Sequence, residues 1–186
     1  MITSPRYVID CSIINSVVDD NGRYIIADIK VYDIIYTCVN IYAPNDDCPQ
    51  FFVQIDNLLD QFHAENIIYG GDFNCILNMS LDKKGGRSHT NFKARSEIMK
   101  CMDKRCLVDI WRNLNPDLKM FTWKSNGDPP IFCRLDYFLI TKTLKTCVEK
   151  SEITHGYRTD HFMVSIVLND NLEKAEFKVN NIDKEI

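Results

Sequence analysis

Short apolar runs separated by turn residues dominate the first part of the chain and predict β-strands. Segments 6–15 and 23–31 are rich in Val, Ile and Tyr, which favour strands. Between them, residues 19–22 read Asp-Asp-Asn-Gly, a turn signal in which Gly adopts a positive φ without strain. A third strand is predicted over 34–42. Ala-Pro-Asn at 43–45 ends it, because Pro has no backbone N–H to donate to a sheet.

A helical spacing of apolar residues begins after this third strand. Segment 49–63 carries apolar residues on one helical face, namely Phe51, Phe52, Ile55, Leu58, Leu59 and Phe62. A short buried strand is predicted next, over 66–70. A second helix is predicted over 92–105, and its expected buried stripe is Phe92, Ile98, Met99 and Met102.

Strand-like runs return in the second half of the chain. The candidate strands are Met120–Trp123, Arg134–Thr141, Val148–Thr154 and Phe162–Leu168. Because adjacent strands are mixed with two helices and do not alternate regularly with them, the pattern predicts an α+β sandwich of sheets flanked by helices. We assign residues 1–168 to this domain and residues 169–186 to a charged tail or linker.

Composition and charge narrow the class of protein. The 186 residues suffice for one domain with a sizeable core, and the net charge of −4 argues against a non-specific nucleic-acid binder. No run approaches a membrane span, and the first residues lack the basic-then-apolar order of a signal peptide, so we expect an intracellular protein that is not secreted. The eight cysteines include no Cys-x-x-Cys pair, which argues against zinc and favours reduced, mostly buried thiols.

Polar residues interrupt or end several of the predicted strands. In Gly-Gly-Asp-Phe-Asn at 70–74, two glycines let the chain turn while Asp72 and Asn74 emerge at a strand end, where ligands usually bind in α/β proteins. Asp136 is a charge in an otherwise apolar run, and a buried carboxylate needs a partner. His161 is the candidate partner, since an Asp that orients a His is the pattern of a general base.

The remaining polar groups suit a site that acts on phosphodiesters. Asp72, Asp160 and the amide of Asn74 supply oxygen ligands or hydrogen bonds for Mg²⁺ and phosphate, and Tyr42 can donate to a phosphate oxygen. Each feature also has a structural interpretation, because Asp-His at a strand start is usually a cap or turn. Arg134 is expected to be a structural ion-pair partner. The occurrence of all these groups in one chain favours the functional interpretation.

The ordered motifs resemble a known family. They are Asn-Ile-Tyr-Ala-Pro-Asn at 40–45, Gly-Gly-Asp-Phe-Asn at 70–74, Phe-Thr-Trp at 121–123, Arg-Leu-Asp-Tyr at 134–137 and Asp-His at 160–161. This set is similar to the endonuclease/exonuclease/phosphatase superfamily, which includes exonuclease III-like apurinic endonucleases and DNase I. Leu-Val-Asp-Ile-Trp-Arg-Asn-Leu-Asn-Pro at 107–116 is typical of the endonuclease domain of non-LTR (LINE-type) retrotransposons. The resemblance covers about residues 6–168.

This resemblance implies a fold, a cofactor and partners. The fold would be a DNase I-like, four-layer sandwich of two mostly antiparallel β-sheets flanked by helices. The activity would be nicking of DNA to prime reverse transcription, with Mg²⁺ as the cofactor and Mn²⁺ as its alternative. The partners would be DNA and the reverse transcriptase domain of a full-length element, acting in the nucleus.

The resemblance also implies a role for each motif residue. His161 would be the general base, and Asp136 would orient it. Asp72 and Asn74 would position the nucleophile and the scissile phosphate. Tyr42 would contact that phosphate. Asp160 would lie beside the metal, and Thr122 would lie near the DNA-contacting surface.

The chain departs from the family pattern before residue 6. The family's domain begins with a strand that ends in Asn, and a later strand carries a metal-binding Glu, yet neither has an equivalent here. The resemblance therefore implies a domain that lacks its first strands and binds Mg²⁺ weakly, because Mg²⁺ is usually held by one or two protein carboxylates. Three functions stay open: a DNA-nicking endonuclease, a catalytically dead remnant that binds nucleic acid weakly, and a phosphatase of the same superfamily.

Overall fold

The structure, a computed structural model, describes residues 11–86, 91–154 and 160–169 in full and the backbone of 174–179. Its strands are β1 (Cys11–Val18), β2 (Tyr24–Val31), β3 (Ile34–Tyr42), β4 (Ile67–Asp72), β5 (Lys83–Lys84), β6 (Leu107–Asp109), β7 (Trp123–Lys124), β8 (Phe132–Cys133), β9 (Asp136–Thr141), β10 (Val148–Thr154), β11 (Met163–Asn169) and β12 (Lys174–Val179). Its helices are α1 (Pro49–Leu59), α2 (Phe92–Lys104) and α3 (Ile110–Leu114), with a 3-10 helix at Lys142–Cys147. In the described part of the chain, no helix is long and apolar enough to cross a membrane.

Six strands form the central sheet in the order β1-β2-β3-β4-β9-β6. The first three pair antiparallel, and the predicted turn between β1 and β2 closes with a 2.9 Å hydrogen bond from Gly22 N to Asp19 O. β3 and β4 are parallel and are connected through α1, whereas β9 runs antiparallel to both β4 and β6. The C-terminal ends of β3 and β4 therefore lie beside the N-terminal end of β9.

Helices α1 and α2 cover one face of this sheet. Pro49 stands at the start of α1, where its missing N–H costs no hydrogen bond. The buried side chains of the two helices are Phe51, Phe52, Ile55 and Leu59 in α1 and Ala94, Ile98 and Cys101 in α2. They form one core with sheet residues that include Ile26, Val39, Ile67 and Leu139.

A second sheet, of order β10-β11-β12, covers the opposite face. Side chains of β9 alternate between the two faces, as the pleat of a strand requires. Tyr137 and Leu139 belong to the core under the helices, whereas Phe138 and Ile140 belong to the core between the sheets. Asp136 is two residues before Phe138 and therefore lies on the same face of the strand, towards the second sheet.

A buried carboxylate joins β2, β3 and the loop after α1. It lies away from the strand ends at which β3, β4 and β9 meet. Asp28 accepts a hydrogen bond from Thr37 Oγ1 at 2.6 Å and lies 2.6 Å from His63 Nδ1. Burial alone would raise the pKa of Asp28, but the hydrogen bonds from His63 and Thr37 outweigh burial and lower it. This cluster holds the chain where it enters β4.

The predicted fold class is confirmed, since the structure is an α+β arrangement of sheets flanked by helices. The strands predicted over 34–42 and Val148–Thr154 coincide with β3 and β10. The first residues of predicted strand 6–15 lie outside the described residues. The very short elements β5, β6, β8 and α3 were not predicted, because two to five residues are too few to show a periodicity.

The predicted buried stripe of α2 is wrong in two of its four positions. Phe92 and Met99 are 58% and 44% exposed. The buried face instead runs through Ala94, Ile98 and Cys101, which are spaced by four and three residues. The larger side chains suggested a different face, whereas the face that is buried carries the smaller Ala94 and Cys101 beside Ile98.

Residues 174–179 form a strand within the segment 169–186 that the sequence assigns to a charged tail or linker. This strand, β12, pairs antiparallel with β11 from Val164↔Val179 to Asn169↔Lys174. Its sequence, Lys-Ala-Glu-Phe-Lys-Val, alternates charged and apolar residues with the period of a strand. The high share of charged residues obscured that alternation.

Candidate active site

Three of the predicted site residues lie in one row across the central sheet. Tyr42 of β3 is the register partner of Asp72 in β4, and Asp72 is the register partner of Asp136 in β9. Register partners project from the same face of a sheet. The row therefore points towards the second sheet, from which His161 approaches just before β11.

Local backbone geometry explains why Gly71 precedes Asp72. Gly71 has a φ of +134°, and a Cβ at this position would lie 2.1 Å from the carbonyl oxygen of Ile41. Only Gly permits such a close approach of β4 to β3. Asn74 also has a positive φ, of 45°, which Asn tolerates better than most residues.

Asn74 ties the end of β4 to the end of β3. Its backbone N–H donates to Asp72 Oδ1 at 2.9 Å, which closes an Asx-turn. Its side-chain Nδ2 donates to the carbonyl oxygen of Ala43 at 2.8 Å. The carboxylate of Asp72 is thereby fixed through one oxygen, while Oδ2 is directed towards His161.

His161 lies between two buried carboxylates. Its Nδ1 is 3.0 Å from Asp136 Oδ2, and its Nε2 is 4.0 Å from Asp72 Oδ2. Both Asp side chains are 2% exposed, whereas that of His161 is 16% exposed. The partner expected for Asp136 is thus in contact with it, and the other ring nitrogen faces Asp72.

The electrostatics of this cluster favour retention of a proton. Burial, followed by the negative charge of Asp136, raises the pKa of Asp72 to about 7. Burial disfavours the charged form of His161, but the hydrogen bond to Asp136 and the charges of the nearby carboxylates outweigh it, so the His161 pKa is raised. Both shifts therefore favour the protonated forms of Asp72 and His161.

Asp160 is exposed and lies beside this cluster. Its Oδ2 accepts a hydrogen bond from Trp123 Nε1 at 2.7 Å, and its backbone oxygen accepts one from Lys124 N at 3.1 Å. An isolated β-bridge joins Trp123 to His161. The sequence did not predict that Trp123 contacts Asp160, because 37 residues separate the two along the chain.

The expected place of Thr122 near the DNA-contacting surface is not supported. Thr122 is completely buried, and its Oγ1 accepts hydrogen bonds from Leu135 N at 2.9 Å and from Asp136 N at 3.0 Å. Its own carbonyl accepts from Phe162 N at 2.7 Å. Thr122 therefore joins β9 to the segment after His161, and its side chain has no access to a surface.

Tyr42 is the most exposed member of the row, at 46%. The guanidinium of Arg23 lies 4.9 Å from the centre of its ring. The sequence analysis missed Arg23. The pairing of Tyr24 with Ile41 in the β2–β3 hairpin places residue 23 next to residue 42, and this register is visible only in the structure.

A buried ion network lies behind the site and includes Arg134, as expected for a structural ion-pair partner. Arg134 Nε and Nη2 donate to Asp82 Oδ1 and Oδ2 at 2.9 and 3.0 Å, and Nη2 also donates to Asp109 Oδ2 at 2.5 Å. Arg112 Nη2 donates to Asp82 Oδ1 at 2.6 Å. Arg134 is two residues from Asp136, so this network fixes the start of β9.

The donor set fits a divalent cation. Among the described residues, Asp72, Asp136 and His161 offer ligand atoms that all lie within 4.8 Å of one another. Carboxylate oxygens are the ligands that Mg²⁺ and Mn²⁺ prefer. Asp160 adds a further carboxylate whose charge raises the pKa values of both Asp72 and His161.

Several solved structures share the architecture of this chain. An AP endonuclease from Archaeoglobus fulgidus is 16% identical with a TM-score of 0.70, over 84% of this chain and 71% of that chain. The 3′ phosphatase NExo from Neisseria, bound to a product DNA hairpin, is 16% identical with a TM-score of 0.69, over 85% of this chain and 72% of that chain. The chain therefore has the fold of the AP endonuclease/exonuclease/phosphatase proteins.

Two transposon proteins are also similar to the chain. The endonuclease domain of TRAS1, a telomere-specific non-LTR retrotransposon, is 16% identical with a TM-score of 0.60, over 80% of this chain and 65% of that chain. The uncharacterized 149 kDa protein of transposon TX1 from Xenopus laevis is 26% identical over 149 residues. These residues make up 78% of this chain and 11% of that protein, so the chain spans a small part of this relative. No protein-family model matches the chain.

Proposed function

We propose that the chain is a Mg²⁺-dependent phosphodiester hydrolase domain that nicks DNA within a non-LTR retrotransposon protein. The observation that carries this proposal is the placement of His161 between Asp136 and Asp72 at the ends of β4 and β9. The similarity to the TRAS1 endonuclease domain and to the TX1 transposon protein supports the choice of DNA and of a retrotransposon. A full-length protein would then also carry a reverse transcriptase domain and act in the nucleus.

The proposed general base is His161. In the tautomer whose Nδ1–H donates to Asp136, Nε2 would take a proton from water. Asp136 stabilises the imidazolium that forms. The backbone N–H of Asp136 donates to Thr122 Oγ1, and the register of β9 also fixes Asp136. The imidazole therefore has one favoured orientation.

Residues of the β3 and β4 ends would position the phosphate and the attacking water. Asp72 Oδ2 faces the same space as His161 Nε2 and can orient the water. Asn74 keeps its amide oxygen for that water, because Nδ2 is committed to Ala43. Tyr42 would donate its hydroxyl to a phosphate oxygen, and Arg23, stacked on its ring, would add a positive charge.

Asp160 and Asp72 would hold the divalent cation. When bound, such a cation neutralises charge that develops on the phosphate and lowers the pKa of nearby acids. Both residues retain an oxygen directed away from their internal hydrogen bonds, because Asp160 uses Oδ2 for Trp123 and Asp72 uses Oδ1 for Asn74. Among the described residues, Asp136 is the other carboxylate of this cluster, and it is already paired with His161, so we expect the cation to bind weakly.

Relaxation of supercoiled plasmid in Mg²⁺ tests this function. We expect nicking by the chain and a loss of roughly 10²–10⁴-fold in rate for His161→Gln, which removes the base. His63→Gln is the matched control, because His63 also pairs with a buried Asp but lies at the opposite end of β3. Nicking that persists in His161→Gln would falsify the assigned base.

Two other functions predict different results in the same assay. A catalytically dead remnant would bind DNA in EDTA but would not nick it in Mg²⁺ or Mn²⁺. A phosphatase of the same fold would release phosphate from 3′-phosphorylated oligonucleotides or small phosphomonoesters and leave supercoiled plasmid intact. The similarity to the 3′ phosphatase NExo is the observation that supports this second alternative.

A further inference from the structure

The carboxylate of Asp160 is held by the strand that carries Trp123. The indole Nε1–H donates to Asp160 Oδ2 at 2.7 Å, and the next residue, Lys124, donates its backbone N–H to the Asp160 carbonyl at 3.1 Å. The β-bridge between Trp123 and His161 adds a further link. Side chain and backbone of Asp160 are thus both fixed by two consecutive residues.

The strand that holds Asp160 is itself fixed. Trp123 and Lys124 form β7, which pairs with β8 in a small sheet of order β5-β8-β7. The preceding residue, Thr122, donates its N–H to Cys133 O at 2.9 Å and accepts from Phe162 N at 2.7 Å. The backbone that carries the indole is therefore hydrogen-bonded to Asp160 and to Phe162, the residues on either side of His161.

Asp160 needs this support because of the charges around it. It is exposed and lies close enough to Asp72 and His161 to raise the pKa values of both. Without a partner, repulsion from the buried carboxylates of Asp72 and Asp136 would turn an exposed Asp side chain towards solvent. An indole N–H is only a donor, so it holds a carboxylate without competing for a cation.

We propose that Trp123 is a positioning residue that holds the Asp160 carboxylate towards the site, so that its second oxygen can bind a divalent cation. This inference rests on the proposed function only through the assignment of Asp160 as a cation ligand. It gives Trp123 a role through its N–H that a Phe ring of similar size could not perform. Outer partners of this kind typically change metal affinity by roughly 10–100-fold.

Binding of Mn²⁺ to the DNA-free chain, measured by calorimetry or by electron paramagnetic resonance, tests the inference. We expect Trp123→Phe to weaken Mn²⁺ binding by roughly 10-fold or more. Asp160→Asn should weaken it at least as much, and the double variant should bind no more weakly than Asp160→Asn alone, because the indole acts through this carboxylate. Trp111→Phe is the matched control, since Trp111 packs on Arg112 and Arg134.

Fluorescence provides a second test that does not require Trp123 to be replaced. In the Trp111→Phe chain, Trp123 is the single remaining Trp of the two in the sequence. Paramagnetic Mn²⁺ should quench its emission, and Asp160→Asn in this background should shift the quenching midpoint to higher Mn²⁺ concentration.

The outcomes separate this inference from the proposed function. Unchanged Mn²⁺ binding in Trp123→Phe, or effects of Trp123→Phe and Asp160→Asn that add in full, would overturn the positioning role. Unchanged binding in Asp160→Asn would overturn it together with the assigned cation ligand. Absence of nicking in the unmodified chain, with the coupling between Trp123 and Asp160 intact, would count against the proposed function alone.

Discussion

Asp72 and Asp136 are direct register partners in β4 and β9, and both carboxylates are almost completely buried. Burial and, after it, the negative charge of Asp136 raise the pKa of Asp72 to about 7, which expresses the cost of keeping Asp72 charged at this place. The site therefore keeps an arrangement that opposes folding when no cation is bound. Such a cost is typical of functional sites, where the geometry that the chemistry needs is kept although it lowers the stability of the fold.

Asp72→Asn should stabilise the fold while it abolishes nicking. The folded pKa of Asp72 lies above the ordinary value of 3.8, so the penalty of its charge appears as pH rises from about 4 to 7 and is complete above 7. Removing the charge should raise the free energy of unfolding at pH 8 by roughly 1–3 kcal/mol. Urea denaturation in EDTA at pH 5 and pH 8 measures this gain, and a less stable variant at pH 8 would contradict it.

Asp28 should give the opposite pH dependence. Its pKa is lowered in the folded chain, so its stabilising contribution is present above the ordinary value of 3.8 and is lost as pH falls through the lower folded pKa. Asp28→Asn should therefore destabilise the chain at pH 7 by about 1–2 kcal/mol and by much less at pH 3. Thermal unfolding at the two pH values checks this, and equal losses at both would rule out an ionic contribution.

Gly71→Ala should be far more damaging than Gly22→Ala. Both positions have a positive φ, but an added Cβ meets Ile41 O at 2.1 Å at position 71 and nothing within 4 Å at position 22. We expect a loss of roughly 3 kcal/mol or more at position 71, against about 1 kcal/mol at position 22. Denaturant midpoints of the two variants measure the difference, and similar midpoints would mean that β3 and β4 can separate freely.

Arg134→Met should cost about 3–5 kcal/mol, because it leaves Asp82 and Asp109 as buried, less compensated charges. Lys100→Met is the control, since Lys100 pairs with Glu97 on an exposed surface and such pairs contribute about 0–1 kcal/mol. Because the network fixes the start of β9, Arg134→Met should also reduce nicking below the melting temperature. A stable, fully active variant would show that Asp136 is positioned without this network.

Arg23→Gln should weaken DNA binding and reduce its salt dependence. If Arg23 contacts one phosphate, the slope of log affinity against log salt should fall in magnitude by about 1. Lys150→Gln is the control, because Lys150 pairs with Glu152 in β10. Fluorescence anisotropy with a short duplex in EDTA measures both slopes, and equal slopes for Arg23→Gln and the unmodified chain would exclude the phosphate contact.

The sequence predicted the parts of the fold and site that depend on local pattern. A charge in the apolar run of β9 indicated that Asp136 needs a partner, and Gly-Gly before Asp72 indicated a sharp backbone approach. The burial of Thr122 could not be predicted, because its motif says nothing about burial. Arg23 and the contact between Trp123 and Asp160 were missed, because each depends on how distant strands are placed beside one another.

The row formed by Tyr42, Asp72 and Asp136 has a consequence for the folding reaction. Its members come from strands that are distant in sequence, and His161 comes from a fourth segment, so no contiguous fragment contains the site. Pairing of distant segments is completed late, because each such contact closes a long loop. The proposed nicking activity should therefore return on refolding with the slowest structural phase, which would make it a sensitive reporter of complete sheet assembly.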